Sequence, residues 1–452
     1  MKVLKRDDTI CALATAGGNG PIAVLRLSGK EAIKICNSCF SKKIINVKTH
    51  TLHFGTIKEN EEDIDEAVIS IFRNPNSYTG EDVVEVSCHG SNYIQNRILQ
   101  LFIKKGARLA EPGEFTMRAF QNGKMDLTQA ESVADLIAAE NKSAHQTALT
   151  QLRGGFTEEL KELRSKLIDF ASLIELELDF SEEDVEFANR KELLTLLKSI
   201  QKRLNKLVNS FALGNVIKNG IPVTILGPPN TGKSTLLNRL LNEEKAIVSN
   251  IPGTTRDIIE DKLVINGVSL RFIDTAGLRK SEDEIENIGI ERAKGKAKES
   301  DIVLYLIDAT KNINMQVEEM KKLKDVKTLI AVVNKIDINK NINKEKKQKE
   351  FIFISAKENL GIDILKEKII QSIDRERLSN NHTIITNARH FNELKLSVNE
   401  IDQVIKGIKN NISSDFLSIN IRQALFHLGS ITGEVSTDDL LANIFGKFCI
   451  GK

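Results

Sequence analysis

"VTILGPPNTGKST" (residues 223–235) decides how this chain is read. A strand-like run, Val223–Leu226, leads into a Gly/Pro-rich turn, and the helical "LLNRLL" follows. Gly227, Gly232, Lys233 and Ser234 satisfy the G-x-x-x-x-G-K-S pattern in the strand–loop–helix setting that the motif requires. Glycines let successive backbone N–H groups wrap phosphates at a helix N-terminus; Lys233 reaches the β- and γ-phosphates, and the Ser234 hydroxyl ligates Mg²⁺. Asn230, Thr231 and Thr235 complete the loop. By itself the motif leaves ATP and GTP open.

The choice falls to GTP further along. "DTAG" (Asp274, Thr275, Ala276, Gly277) ends an apolar strand, which puts Asp274 near the metal and the Gly277 amide near the γ-phosphate. "NKID" (Asn334, Lys335 and Asp337) follows "LIAVVN", where the Asp337 carboxylate can accept both guanine N–H donors that adenine lacks. "SAK" (Ser355, Ala356, Lys357) offers a backbone N–H to the guanine O6. Four such elements in this order, on strand ends, predict a GTPase domain. The position where a Ras-type scheme puts its water-orienting glutamine is Leu278, which has no polar group. The residues alone leave Glu282, Asp283, Glu284 and Glu286 as candidates for that task.

Around this motif, strand-like runs at Val223–Leu226, Leu270–Ile273, Ile302–Ile307, Leu329–Val333 and Phe351–Ile354 alternate with helical stretches. That rhythm predicts a doubly wound, mostly parallel sheet. No proline lies between 113 and 221, and none follows 252, which permits long helices on both sides. Leu163, Leu167, Phe170 and Ile174 form one helical stripe; Ile401, Val404, Ile405 and Ile408 form another. Before them, "ICALAT", "AVLRLS", "AVISIF" and "VVEVSC" read as strands, with helices in "GKEAIKICNSCF" and "SNYIQNRILQLFIKK". The expected fold is multidomain: an N-terminal α+β domain (1–118), an all-α helical domain in two parts (119–218 and 379–452), and an inserted α/β P-loop G domain (219–378).

Composition is that of a globular protein: 41% hydrophobic and 28% charged residues among 452. A net charge of +2 advertises no global nucleic-acid field, so any RNA contact must be local or arrive through a partner. No apolar run nears the roughly 20 residues of a membrane span, and "MKVLKRDDTI" is no signal peptide. We therefore expect a cytoplasmic protein without membrane contact. The five cysteines are scattered as reduced thiols are, and the Cys36–Cys39 pair is too few ligands for zinc, so it reads as part of a structural helix.

The whole arrangement resembles the tRNA-modifying GTPase family MnmE, also called TrmE, along essentially all 452 residues. Besides the G motifs, the resemblance rests on "DTICALAT", "GPIAVLRLSG", "NSYTGEDVVEVSCHG", "EPGEFTMRAFQNGKMDL", "IVSNIPGTTRD", "GLRKSEDEIENIGIERA" and "ITGEVSTDDLLANIFGKFCIGK". It implies that Glu286 orients the attacking water, with Lys233 as its catalytic companion, and that Thr255 joins Ser234 on Mg²⁺. It further implies a K⁺ site at Asn230 and the loop from Ser249 to Thr254, built from the carbonyls of Ser249 and Ile251, with Thr254 as a further ligand. A fixed cation there would neutralise developing charge without an arginine finger. For a tetrahydrofolate derivative (5,10-methylene- or 5-formyl-tetrahydrofolate), Arg26, Glu85, Lys124 and Lys452 match the family's binding residues. The family often carries a Pro-Gly-Arg-Gly-Gly loop where this chain reads "AGGNGP" (16–21), so Asn19 stands in place of an arginine.

The same resemblance implies a homodimer through the N-terminal domain and a FAD-dependent MnmG-type partner in a heterotetramer. It implies tRNA as the substrate, with an aminomethyl or carboxymethylaminomethyl group installed on carbon 5 of the wobble uridine. GTP hydrolysis, K⁺-stimulated, would be driven by G-domain dimerisation. The terminal "FCIGK" fits a prenylation box poorly, since Gly451 and Lys452 fill its last places. "DDLLANIFGKF" reads instead as an amphipathic helix that carries the tail to a defined place. The resemblance implies that this place is beside the folate pocket, with Lys452 meeting the cofactor and Cys449 a catalytic candidate. Two other functions share the G domain: a potassium-dependent ribosome-assembly GTPase, which needs an RNA-binding module such as a KH domain, and a structural GTPase whose outer domains only dimerise.

Overall fold

The computed structural model describes residues 8–179, 190–242, 261–273, 295, 297, 300–323, 326–339, 350–373, 383–410 and 412–451. The chain forms two compact units, Met1–Ile137 with Leu149–Gln201 and Leu396–Lys452, and Ala138–Ala148 with Lys202–Lys395.

The second unit carries the parallel sheet. Its strands are β7 (Ile221–Leu226), β8 (Asp261–Ile265), β9 (Val268–Phe272), β10 (Ile302–Asp308), β11 (Thr328–Asn334) and β12 (Phe351–Phe353), in the spatial order β12-β11-β10-β7-β9-β8. Only the β8–β9 pair is antiparallel. β10, "IVLYLID", is buried at every position. Ile302, Leu304 and Leu306 enter one core cluster while Tyr305 and Ile307 enter another, as a central strand covered on both faces must. Helices α8 (Lys233–Asn242) and α10 (Ile362–Gln371) fill the first cluster through Leu236, Leu237, Leu240, Leu365 and Ile369, and α9 (Ile313–Met320) covers the second through Ile313 and Val317.

Each of the five expected strands is present, with ends moved by one or two residues. The β8–β9 hairpin was not anticipated, although its turn, Asn266–Gly267, is a strong local signal. Both residues are left-handed (φ 50° and 79°), which matches the twist of a two-residue hairpin.

The first unit holds a second six-stranded sheet. Its strands are β1 (Ile10–Leu13), β2 (Ile22–Ser28), β3 (Thr51–Glu59), β4 (Glu62–Phe72), β5 (Val83–His89) and β6 (Arg108–Leu109), ordered β3-β4-β5-β2-β1-β6. Only β1–β6 is parallel. Helices α1 (Ala32–Ser38) and α2 (Asn92–Lys104) cover one face, with Cys36 and Cys39 inside that core, where burial pushes the Cys39 thiol up to about 12. β3 and β6 escaped the sequence reading. Gly55 in β3 sits under Phe40, where a Cβ would come within 2.6 Å of the ring, and β6 has just two residues.

Helices α3 (Glu114–Gln121), α4 (Leu127–Ile137), α6 (Gly155–Asp179), α12 (Ser414–Thr432) and α13 (Asp438–Phe445) complete the first unit. Helices α5 (Lys142–Leu152), α7 (Arg190–Asn219) and α11 (Ala388–Lys409) run through the positions where the two units divide. The expected stripes are internal: Leu163, Leu167, Phe170 and Ile174 are fully buried, as are Ile401 and Val404 within a few percent. Phe170→Ala removes one of the largest side chains in the α6 core and should cost about 3–5 kcal/mol. Hydrogen exchange of the α6 amides is the measurement, and unaltered protection would contradict the assignment of Phe170 to that core.

Candidate functional site

The loops after β7, β10, β11 and β12 lie side by side because those strands are neighbours in the parallel sheet. Ligands of such sheets bind outside the carboxyl ends of the strands. The phosphate loop needs two glycines for steric reasons. At Gly227 (φ 145°) a Cβ would meet the Leu306 carbonyl oxygen at 2.4 Å, and at Gly232 (φ 92°) it would meet the Asn334 side-chain nitrogen at 2.5 Å. Asn230 adopts φ 59°, a left-handed conformation that asparagine tolerates better than most residues. Thr231 is fully buried and donates to the Pro228 carbonyl at 2.9 Å. Lys233 opens α8, and its ammonium donates to the Gly227 and Pro228 carbonyls at 3.0 and 2.9 Å, over the mouth of the loop. Ser234 and Thr235 follow in the first turn of α8.

Asn334 joins this loop to the two loops beyond it. Its Nδ2 donates to the Thr231 carbonyl at 2.8 Å, and its Oδ1 accepts from the Ala356 amide at 3.0 Å. Lys335 is held at φ 66°, a conformation worth roughly 1–3 kcal/mol of strain for a residue with a side chain. Its ammonium is bonded to the Asn230 carbonyl and, at 2.8 Å, to Asp308 Oδ2. Asp337 is exposed just beyond it, and Ser355 and Ala356 are buried. Arg239 of α8 donates to the Ala356 and Lys357 carbonyls at 3.2 and 2.7 Å, which ties the last loop to the helix that follows the phosphate loop.

Asp308 was not singled out from sequence. Burial alone would raise its carboxyl, but bonds from Lys335 and from the Thr310 hydroxyl and amide outweigh it and hold the group below the usual carboxylate range. Its signal was present, an acid that closes a wholly apolar strand. Asp274, Thr275, Ala276, Gly277, Leu278, Glu282, Asp283, Glu284, Glu286, Ser249, Ile251, Thr254, Thr255 and Lys452 lie outside the described residues.

A second constellation lies in the first unit. Arg26 and Glu85 face each other across β2 and β5 and pair twice, Nε–Oε1 at 2.9 Å and Nη2–Oε1 at 2.7 Å. The guanidinium carbon lies 5.4 Å from the Tyr78 ring centre and 5.6 Å from that of Phe115, so aromatic faces flank the cation. Arg26 Nη1 also donates to the Gly451 carbonyl at 3.3 Å, so the C-terminal tail does reach this place. Tyr78, missed in the sequence reading, also lines a shallow hollow with His50, Phe72, Asn76, Ser77 and Lys124. Lys124 Nζ donates to the Pro75 carbonyl at 3.0 Å. Asn19, at the altered loop, accepts from the Asn92 amide at 3.0 Å, at the start of α2. Arg26 and Glu85 are thus together, while Lys124 lines the separate hollow that Tyr78 shares and bonds to Pro75.

A phosphate loop ahead of α8, with NKID and SAK loops converging on it, defines a P-loop domain of the guanine-nucleotide-binding class. Comparison with known proteins extends this to the whole chain. The profile of the "GTP-binding protein TrmE N-terminus" matches residues 9–124, and that of the "MnmE helical domain" matches residues 127–449. A protein of Flavobacterium johnsoniae named tRNA modification GTPase MnmE is 51% identical over 463 residues, covering 99% of each chain. Its namesake from Cytophaga hutchinsonii is 51% identical and covers 100% of this chain and 99% of that one. The namesake from Bacteroides fragilis is 50% identical, covering 99% and 100%. The chain belongs to the MnmE (TrmE) family of tRNA modification GTPases. Among the described residues, no helix is long and apolar enough to cross a membrane.

Replacing Asn334 with Ala would strand the Thr231 carbonyl and the Ala356 amide, at about 1–3 kcal/mol each. Asn334→Ala should therefore weaken GTP binding by roughly tenfold or more, as isothermal titration calorimetry can measure. Wild-type affinity would show that the two loops hold their places without it.

Proposed function

We propose that this protein hydrolyses GTP in order to modify tRNA and that, with a FAD-dependent partner of the MnmG type, it installs an aminomethyl or carboxymethylaminomethyl group on carbon 5 of the wobble uridine. The observation that carries this reading is similarity along the entire chain, at about half identity, to proteins named tRNA modification GTPase; the uridine chemistry and the flavin partner are what the family resemblance implies. This reading keeps the four parts drawn from sequence (1–118, 119–218, 219–378 and 379–452), and the profile matches to residues 9–124 and 127–449 support a break near the first of those boundaries.

On the nucleotide side, Lys233 and the amides of the loop bind the phosphates, Asp337 accepts from the guanine ring, and a backbone N–H of the SAK loop donates to its O6. Asn334 and Arg239 keep those loops in register. Mg²⁺, if bound by Ser234 and Thr255, would neutralise charge on the phosphates, and Ser234 in the first turn of α8 suits that donor role. The left-handed turn at Asn230 suits a K⁺ ligand at the loop edge, with Ser249, Ile251 and Thr254 supplying the remaining oxygens. Glu286 would orient the attacking water.

On the folate side, a pterin edge offers donors that a carboxylate can grip in two places, and Arg26 holds Glu85 through Oε1 at the place where that grip would form. Tyr78 supplies a flat face at the hollow, backed by the buried Phe115 on the other side of Arg26, and Lys124 and Lys452 suit the acidic tail of the ligand. Cys449 is exposed while Cys11, Cys36, Cys39 and Cys88 are buried, so it is the thiol in position to meet a substrate. A homodimer through the N-terminal domain would complete the pocket.

Nucleoside analysis of tRNA from cells with and without the gene tests the function: wobble uridines should lose the modification. Unchanged uridines with accumulating ribosomal precursors would favour a ribosome-assembly switch instead. For the cation site, exchange of K⁺ for Na⁺ should slow GTP hydrolysis by roughly 100-fold, the scale of losing one fixed charge partner in a transition state. Equal rates in the two salts would refute it.

A further inference from the structure

The turn Glu111–Glu114 takes no part in the chemistry above, yet several costly features converge on it. Gly113 adopts φ 69°, and a Cβ there would meet the Phe445 carbonyl oxygen at 2.5 Å and the Phe448 Cβ at 3.0 Å. Its amide donates to the Cys449 carbonyl at 3.3 Å. Next to it, Glu114 is 2% exposed. Both of its oxygens bind Arg108, at 2.6 and 3.0 Å, and it also accepts from Arg118 at 3.1 Å and from the Glu111 amide at 2.8 Å. Asp8 closes the cluster by pairing with Arg108 at 2.7 Å and Arg118 at 2.6 Å. Burial by itself would raise the Glu114 carboxyl; the bonds from Arg108 and from the Glu111 amide outweigh it and keep the group ionised.

Buried ion clusters are weak devices for stability, because apolar side chains of the same volume often do as well. What such a cluster provides is a fixed geometry. Here it clamps the Glu111–Gly113 turn, and that turn bears directly on the tail. Helix α13 enters through Leu441 and Phe445, buried against Met117 and Leu127. Two residues beyond Cys449 the tail is held again. Gly451 adopts φ 95° against β1, where a Cβ would meet the Leu13 carbonyl oxygen at 2.2 Å, and its own carbonyl accepts from Arg26. Cys449 therefore hangs between two backbone anchors with its side chain exposed.

We propose that Gly113, clamped by the Glu114–Arg108–Arg118–Asp8 cluster, is a positioning residue for Cys449, fixing the backbone from which the exposed thiol projects. The functional half of this rests on the reading in which Cys449 takes part in tRNA modification. The structural half does not.

The test uses full-length protein in two separate samples. In one, a thiol-specific nitroxide is attached to Cys449, the other four cysteines being buried. The wild-type spectrum should be that of a restrained label; Gly113→Ala should shift it to a mobile one, Glu114→Gln should move it part of the way, and Phe170→Ala should leave it unchanged. In the other sample, unlabelled Gly113→Ala should lower kcat for tRNA modification by about 100-fold, the scale of an ångström-sized misplacement. KM for tRNA and the rate of GTP hydrolysis should hold. A label equally restrained in Gly113→Ala and Glu114→Gln would overturn the anchor. A mobile label with unaltered modification kcat would overturn the positioning role. Wild-type protein that modifies no tRNA would sink the proposed function instead, while the spectra would still decide the anchor. If Gly113→Ala fails to fold, Glu114→Gln carries both readouts.

Discussion

Among the described residues, one side-chain amide ties three loops of the nucleotide site together. Asn334 ends β11 and reaches both ways, giving a hydrogen to the Thr231 carbonyl and taking one from the Ala356 amide. Three loops that come from distant parts of the sequence are thereby fixed to one another. The close packing follows: Gly232 cannot carry a Cβ because that same amide lies 2.5 Å away, and Lys335 accepts a strained backbone because its ammonium is bonded to Asn230 and Asp308. A phosphate loop must leave its amides free for a ligand, so its outer frame has to be held by side chains from elsewhere. Asn334, Lys335 and Arg239 are that frame.

The first unit solves a related problem at the other end of the chain. Terminal residues fray unless something ties them down, and here the ties are mostly backbone. Gly113 and Gly451 allow the tail to lie flush against a turn and a strand, and Arg26 donates to the Gly451 carbonyl while its other nitrogens pair with Glu85. A single arginine therefore links the sheet, two aromatic rings and the tail. It stands fixed before any ligand is considered.

Much of the nucleotide site was legible because its chemistry demands residue types at short spacing. G-x-x-x-x-G-K-S, NKID and SAK each act within one loop, and strand-like runs ahead of them place each loop at a sheet edge. Asp308, by contrast, shows in the sequence as an acid closing an apolar strand, but its role does not, because that depends on Lys335, 27 positions away, turning back onto it. Tyr78 was missed for the same reason, since nothing near it in sequence names Arg26 as a neighbour. The β8–β9 hairpin was a different case: Asn266–Gly267 was a readable signal that the longer rhythm of the parallel sheet obscured.

The class of nucleotide, the alternation of strands and helices that builds the G domain, the helical stripes and the family resemblance can all be read from residue order. These are local or periodic properties, written in neighbours a few residues apart. The pairing of Arg26 with Glu85, the hold on the tail at Gly113 and Gly451, and the buried ion cluster behind that turn come into view with the folded chain alone. Those facts join residues as far apart as Arg26 and Gly451, 425 positions in the chain. A contact of that span arises from how sheets and helices pack, which no local pattern encodes.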